Sequence, residues 1–587
     1  MPTTDSLCEI LSEVFAAKAE KYDFEIVAAF FADRPELLRE IHEPTHAVIL
    51  GRRGTGKTMV LKYLSLPSQL HSSDVPVSNA NFALDFAGFY LSLDINIQPT
   101  VGPEHDENLA PVFGHWFNLA TLLPVLDGVE RLRAHPKLST IAVEKFAISV
   151  SQLAFGVSTS STEQLLEQLN GRIAEIWEAS NYPPQEATRR LLHLTNDLRK
   201  ISSTRRFHTD LSEIVAGLLR PIFRNDPKFY FLLDRFDGVS KQRQDVIRDL
   251  IQVRQGQKYF VELGVDHPSR LHLSELSTHD YRILDIERRL DPTGYARFAE
   301  RVLHKRFEAI RDRLKRAGES TEVVELFGAA DLLLPALSFQ DQAARVGTAG
   351  QQESLWGSSC PADIQAFQAL VRAKQAILYS GLSTIIALSS GCIRFFIETV
   401  HSVLREACEK RHLPTLLHER CVPFDVQDEA LRKEVHGQFT QAFPTDIHAI
   451  IGDSAVEDAA EKLLRHFYYQ FHRSLSSGDP YLHEVTIEGH QPANSEEVLV
   501  RALAGLDRLG YVIPDTNSRP GYLTDGFSIS RLFSIEFNIP PIQYWSCPVS
   551  VDGFPLGSQA VIHRPVRGRL IRHRARGPVG NRALMMH

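Results

Sequence analysis

A lysine, two threonines and three glycines stand together at Gly51-Arg52-Arg53-Gly54-Thr55-Gly56-Lys57-Thr58, in the spacing Gly-x-x-x-x-Gly-Lys-Thr. Glycines at such intervals let successive backbone N–H groups turn into one concavity, and the lysine and hydroxyl at its end add a point charge and a hard oxygen donor. This set suits a polyphosphate. The loop, the helix start at Met59 included, cradles the phosphates; Lys57 reaches the β- and γ-phosphates, and Thr58 ligates Mg²⁺. A second chemical group stands far along the chain, where Lys228-Phe229-Tyr230-Phe231-Leu232-Leu233 ends in Asp234, followed by Arg235, Phe236 and Asp237. An acid at the end of a buried strand is placed to hold the water shell of Mg²⁺, a Walker B reading with ATP and Mg²⁺ as the ligands. The next residue, Arg235, accepts no proton at accessible pH. Asp237 is then the remaining carboxylate able to polarise an attacking water, so slow hydrolysis, or binding without turnover, is expected.

These residues need particular elements around them. The apolar run His46–Leu50 and the helix-compatible run Met59–Leu64 flank the loop in the order strand, loop, helix. Further strands are expected at Phe89–Ile95, Tyr259–Val265 and Tyr281–Ile286, giving with the first two an open parallel α/β sheet whose carboxyl ends face the ligand. Asp94 falls near one such end and reads as a loop or capping residue. Neither late strand ends in an Asn or Thr suited to sensing a γ-phosphate, and Asp266 is a poor substitute. Helical spacing is present in Asp5–Lys21, Phe24–Phe31 and Gln242–Val253. Residues 111–222 read as helical throughout, through Trp116, Leu119, Leu122, Leu123 and Leu126, then Leu165, Leu166, Leu169, Ile173, Ile176 and Trp177. This insertion is either structural filling or a platform for a partner protein, and its size as a surface insertion favours contact. Asp291-Pro292 opens a helix with Tyr295, Phe298, Val302, Leu303 and Phe307 on one face. The chain turns irregular between Gly318 and Ile364. Farther on, Gly391-Cys392-Ile393-Arg394 puts an arginine in the first turn of a helix.

With these residues on the page, the chain resembles AAA+ ATPases of the origin-recognition-complex type and the related STAND NTPases, specifically a bacterial branch whose loop continues into Thr58–Ser65. The likeness covers roughly residues 24 to 405. It implies a P-loop NTPase core with a helical lid and a C-terminal winged-helix-like domain. It also implies that Gly391 and Arg394 form the lid motif called sensor 2, whose arginine approaches the γ-phosphate. The departures are Arg235, where the water-activating glutamate of additional-strand ATPases sits, and the missing first sensor. Both bear on hydrolysis more than on binding. The resemblance further implies assembly with like subunits or with a bacterial defence or signalling effector.

The implied organisation is an N-terminal helical segment at 1–45, a P-loop core at 46–290 containing the insertion, a lid at 291–415 interrupted at 318–375, a C-terminal domain at 416–550 and a tail at 551–587. In the C-terminal part Asn494 and Glu497 cap a helix carrying Leu499, Leu503, Leu506 and Leu509, and Tyr511–Pro514 with Gly521–Leu523 is expected as a hairpin. Arg501 and Arg508 are balanced there by Glu496, Glu497 and Asp507, which fits protein contact better than a phosphate groove. Phe527 to Trp545 reads as a core cover.

With 587 residues the chain exceeds one ordinary core, and its formal charge of −8 excludes an overall basic surface. DNA contact would need a local patch, such as the seven arginines from Arg564 to Arg582 in a tail without acidic residues after Asp552; a solvated tail is the plainer reading. Six scattered cysteines without a Cys-x-x-Cys pair argue against a zinc cluster or a disulfide framework. No run is apolar enough to span a membrane, and the first residues lack a basic-then-apolar leader, so a cytoplasmic location is expected.

Overall fold

The computed structural model describes residues 4–16, 18–32, 35–73, 75–93, 106–180, 182, 184–196, 203–252, 258–266, 280–287, 292–347, 362–477, 495–509, 511–514 and 527–537. They form two compact units, one of residues 18–291 and one joining 1–17 to 292–587.

In the first unit, apolar residues drive the strands β1 (His46–Leu50), β2 (Ala87–Ser92), β3 (Phe229–Asp234), β4 (Tyr259–Val265) and β5 (Tyr281–Asp285). All pair in parallel, in the order β2-β3-β4-β1-β5. β4 is thus an additional strand between the one that leads into the loop and the one that ends in Asp234. β1, β3 and β4 are buried along their whole length, as strands covered on both faces must be, whereas the edge strand β5 leaves Ile283 exposed.

Alternation sorts the side chains onto two faces. Ala47, Ile49, Tyr230, Leu232 and Phe260 pack under the helix Lys57–Leu64, with Phe31, Leu37 and Ile41. Val48, Leu50, Phe89, Phe231, Leu233 and Val261 face the opposite way, into a larger core. That core is built mostly by the helices between β2 and β3: Asp106–Leu132, Thr140–Phe155, Thr162–Ser180, Pro184–Asn196 and Thr204–Leu219. Trp116, Phe117, Phe207 and Leu211 are fully buried there. The insertion is therefore the cover of one sheet face and not a surface appendage; removing it would expose that face to water. Its apolar stripe divides. Leu165, Leu169 and Ile176 point inward, while Leu166 and Trp177 are exposed.

The second unit is helical. Its first long helix, Pro292–Arg316, buries Tyr295, Phe298, Val302, Leu303 and Phe307 on one face. The stretch expected to be irregular instead holds short helices at Thr321–Glu325, Ala330–Leu333 and Phe339–Arg345, too brief to give a readable period; residues 348–361 lie outside the description. Ile393–Glu419, Phe424–Gly437, Phe443–Ile451 and Ser454–Ser477 follow, then Ser495–Leu509. The strand β6 (Val512–Pro514) pairs antiparallel with β7 (Phe527–Ile529), a stretch expected only as a core cover; the expected return at 521–523 lies outside the described residues. No described helix is long and apolar enough to cross a membrane.

Candidate functional site

The loop between β1 and the helix Lys57–Leu64 takes its shape from its glycines. Gly54 and Gly56 have φ of 88° and 100°, a region that side chains disfavour, and Gly56 caps the helix. A Cβ on Gly51 would lie 2.6 Å from Thr55 Oγ1 and 2.7 Å from Ile286, so the chain passes there only without a side chain. Thr55 closes the turn by donating from its N–H (3.2 Å) and its hydroxyl (2.8 Å) to the Arg52 carbonyl, and the Gly51 N–H donates to the Val265 carbonyl at 3.2 Å. The first helical bond runs from Val60 N–H to the Gly56 carbonyl. The amides of Lys57, Thr58 and Met59 therefore open the helix as donors suited to an anion. Arg53 is exposed on the outer turn. Arg52 is held inward: its N–H and Nε both donate to the Glu287 carboxylate just after β5, the Nε bond at 2.6 Å.

Lys57 is buried at 7 % exposure. Its ammonium donates to the Gly51 and Arg52 carbonyls and pairs with Asp266 Oδ1 at 2.6 Å. Asp266, set aside as a sensor, is thus the counter-ion of the loop lysine.

Asp234 closes the site from β3. At 1 % exposure, its Oδ2 accepts from Thr58 Oγ1 at 2.7 Å and from the Tyr90 hydroxyl at 3.0 Å, and its Oδ1 from the Arg235 N–H at 3.0 Å. Burial raises the carboxyl above its ordinary value, opposed by the Thr58 and Tyr90 hydrogen bonds and by the Lys57 charge. Burial also pushes the Tyr90 phenol far up, helped by Asp234, so Tyr90 stays a donor. A Cβ on Gly264 of β4 would lie 2.9 Å from Asp234 Oδ1; the neighbouring strand leaves just enough room for the acid.

Arg235 turns sharply out of the strand, with φ of 59°. Its guanidinium pairs with Glu20 at 2.6 Å. Burial alone would raise the Glu20 carboxyl, but the Arg235 hydrogen bond and the charges of Arg235 and Lys62 bring it below its ordinary value. Lys62, on the loop helix, sends its ammonium to the carbonyls of Ala19 (3.0 Å), Glu20 (3.0 Å) and Tyr22 (2.9 Å). Asp237 sits in the turn Phe236–Gly238 that follows. The side chain of Asp237 lies outside the description, as does Asp94.

Arg394 belongs to the second unit. It is the second residue of the helix Ile393–Glu419, entered through Gly391 with φ of 87°, and its Nε donates to Glu398 at 2.9 Å one turn on.

The structure brings Lys57, Thr58 and Asp234 together with Tyr90, Glu20, Lys62, Asp266 and Glu287, five residues the sequence did not single out as site members. One signal was legible: Lys62 is a charge inside the otherwise apolar stretch Met59–Leu64. The hard oxygens of Thr58 and Asp234 at 2.7 Å fit a magnesium ion, and the glycine-shaped loop fits phosphates.

No curated protein and no solved structure matches the chain. The ORC-CDC6-like family model matches residues 14–376 and 362–546, which takes in both the loop and Asp234. This sequence match and the five-stranded parallel sheet agree: the chain belongs to the ORC-CDC6-like family of AAA+, P-loop ATPases.

Proposed function

We propose that the protein is a nucleotide-dependent switch, binding ATP with Mg²⁺ and hydrolysing it slowly, which controls assembly with a protein partner in a bacterial defence or signalling setting of the STAND kind. The observation that carries the ligand assignment is the contact of Thr58 Oγ1 with Asp234 Oδ2 at 2.7 Å, which joins the end of the loop to the end of β3. When bound, the magnesium ion would neutralise phosphate charge. The chain's own residues do the rest. Gly51 to Met59 present amides, Lys57 exchanges the Asp266 carboxylate for phosphate oxygens, Thr58 and Asp234 hold the metal and its water shell, and Tyr90 fixes Asp234. Asp237 is assigned the polarising of water, and Arg394, as sensor 2, the coupling of its unit to the nucleotide.

Protein contact is favoured over DNA because the C-terminal helix sets three acids, Glu496, Glu497 and Asp507, against two arginines, and Arg501 is occupied by Asp453 at 2.9 Å. The test is the nucleotide content and phosphate release of purified protein. Wild type should retain nucleotide, Lys57→Ala should lose it, and Asp234→Asn should lose the Mg²⁺-dependent part of retention together with release. Equal nucleotide content in wild type and Lys57→Ala would refute the assignment. Salt-dependent retention on duplex DNA, lost on deleting residues 553–587, would favour an origin-recognition function instead.

A further inference from the structure

We propose that Glu20 sets how strongly the site prefers a triphosphate over a diphosphate, by holding the Arg235 guanidinium in an ion pair beside the metal acid. The inference rests on the nucleotide-binding reading above and deepens it.

Arg235 directly follows Asp234, and its N–H binds the Asp234 carboxylate at 3.0 Å. Its left-handed backbone turns the side chain toward Glu20, whose Oε1 receives the guanidinium at 2.6 Å. Glu20 comes from before β1 and is fixed in place. The three carbonyl contacts of Lys62 bolt residues 19–22 to the helix that starts at the loop. Phe24 meets the Tyr90 ring edge-on at 6.4 Å, and the Lys62 ammonium lies 5.8 Å from the Phe24 ring centre and 5.7 Å from that of Tyr90. Tyr90 in turn donates to Asp234. Segment, loop helix and metal acid are thus one connected body.

The consequence is electrostatic. A triphosphate differs from a diphosphate chiefly by the charge of its last phosphate, so the net charge beside Asp234 bears on that difference. Paired, Glu20 and Arg235 nearly cancel. Neutralising Glu20 adds one unit of positive charge near the end of β3, and neutralising Arg235 removes one. The two substitutions should therefore shift the preference in opposite directions.

The experiment measures the dissociation constants of ATP and ADP, each with Mg²⁺, by calorimetric titration of the full chain. It compares wild type, Glu20→Gln, Arg235→Gln and the double variant. Relative to wild type, Glu20→Gln should raise the preference for ATP roughly tenfold, the order a unit charge gives at a protein surface. Arg235→Gln should lower it by a similar factor, and the double variant should return close to wild type. If Glu20→Gln does not fold, Arg235→Gln alone decides through the opposite sign. An unchanged ratio in the folded variants, in a wild type that binds nucleotide through Lys57, overturns the role of Glu20 and leaves the nucleotide reading standing. A wild type that binds neither nucleotide overturns both.

Discussion

A single carboxyl group in the sheet shows how far burial can alter an acid. Glu262 lies in β4, fully buried, and among the described residues neither of its oxygens has a hydrogen-bond partner. Arg282 is its one opposing charge, two strands away across Ala47 in register. Burial pushes the carboxyl well above its ordinary 4.5, only weakly countered by Arg282. The folded protein therefore keeps a proton that the unfolded chain gives up. For a pKa raised on folding, the contribution to stability is complete below the unfolded value and is lost as pH rises through the folded one. Stability should accordingly decline above about pH 4.5, and Glu262→Gln should remove that decline. Urea midpoints at about pH 5 and about pH 8 check this; the same pH slope in both proteins would mean that the buried carboxyl carries no extra proton. The Glu20–Arg235 ion pair governs any restoration of the glutamate that Arg235 replaces. Arg235→Glu alone would set two carboxylates against each other at Glu20, so the missing glutamate can be tested only together with Glu20→Arg.

At the scale of elements, the position of β2 decides where Tyr90 stands. A Cβ on Gly88 would lie 2.2 Å from the Leu64 carbonyl and 2.8 Å from Leu232, so this strand touches the end of the loop helix through a bare backbone. Gly88 and Tyr90 share a strand face, and a displacement at one carries to the other. Gly88→Val should cost about 1–3 kcal/mol from overpacking and also weaken Mg²⁺-dependent nucleotide retention, since Tyr90 would be drawn from Asp234. A lowered denaturation midpoint with unaltered retention would show that Tyr90 keeps its place without β2. This geometry also explains what could be read in advance. The loop, β1 and β3 were legible because each is a local pattern: glycine spacing, then an unbroken apolar run, then an acid. The hydrogen bonds of Tyr90 and of Arg235 span 144 and 215 positions, and no local period encodes such partners. The insertion was legible as helices but not as the cover of a sheet face, because burial of Phe117 or Phe207 depends on a sheet assembled from both sides of it. β7 was missed because three residues of strand give no alternation to detect.

For the whole molecule, the division into two units does not follow the order of the chain. The helix Thr4–Val14 precedes the loop in sequence but packs among helices that come some three hundred positions later. Leu7, Leu11, Val14 and Phe15 are buried there; Phe15 stacks on His401 at 6.1 Å and meets Phe307 edge-on at 6.4 Å. Arg306, 2 % exposed, donates to the Val14 carbonyl at the end of that helix, and Arg313 pairs with Glu13. A buried guanidinium that caps a helix end depends on it for a share of its hydrogen bonds, so the helix is a structural part of the second unit. Each of the four buried side chains contributes on the order of 1.5–3 kcal/mol, a sum comparable with the whole stability of a domain. Removing residues 4–16 should therefore unfold or strongly destabilise the unit formed with 292–537, while residues 18–291 keep the loop, Asp234 and Glu20 intact. Phe15→Ala, a milder cut, should lower stability by about 3–5 kcal/mol. Thermal unfolding reads the first effect and nucleotide retention the second. Should the shortened chain melt like the full one, the helix would be an ornament on its unit; should it lose nucleotide as well, the role given to Arg394 would account for the loss.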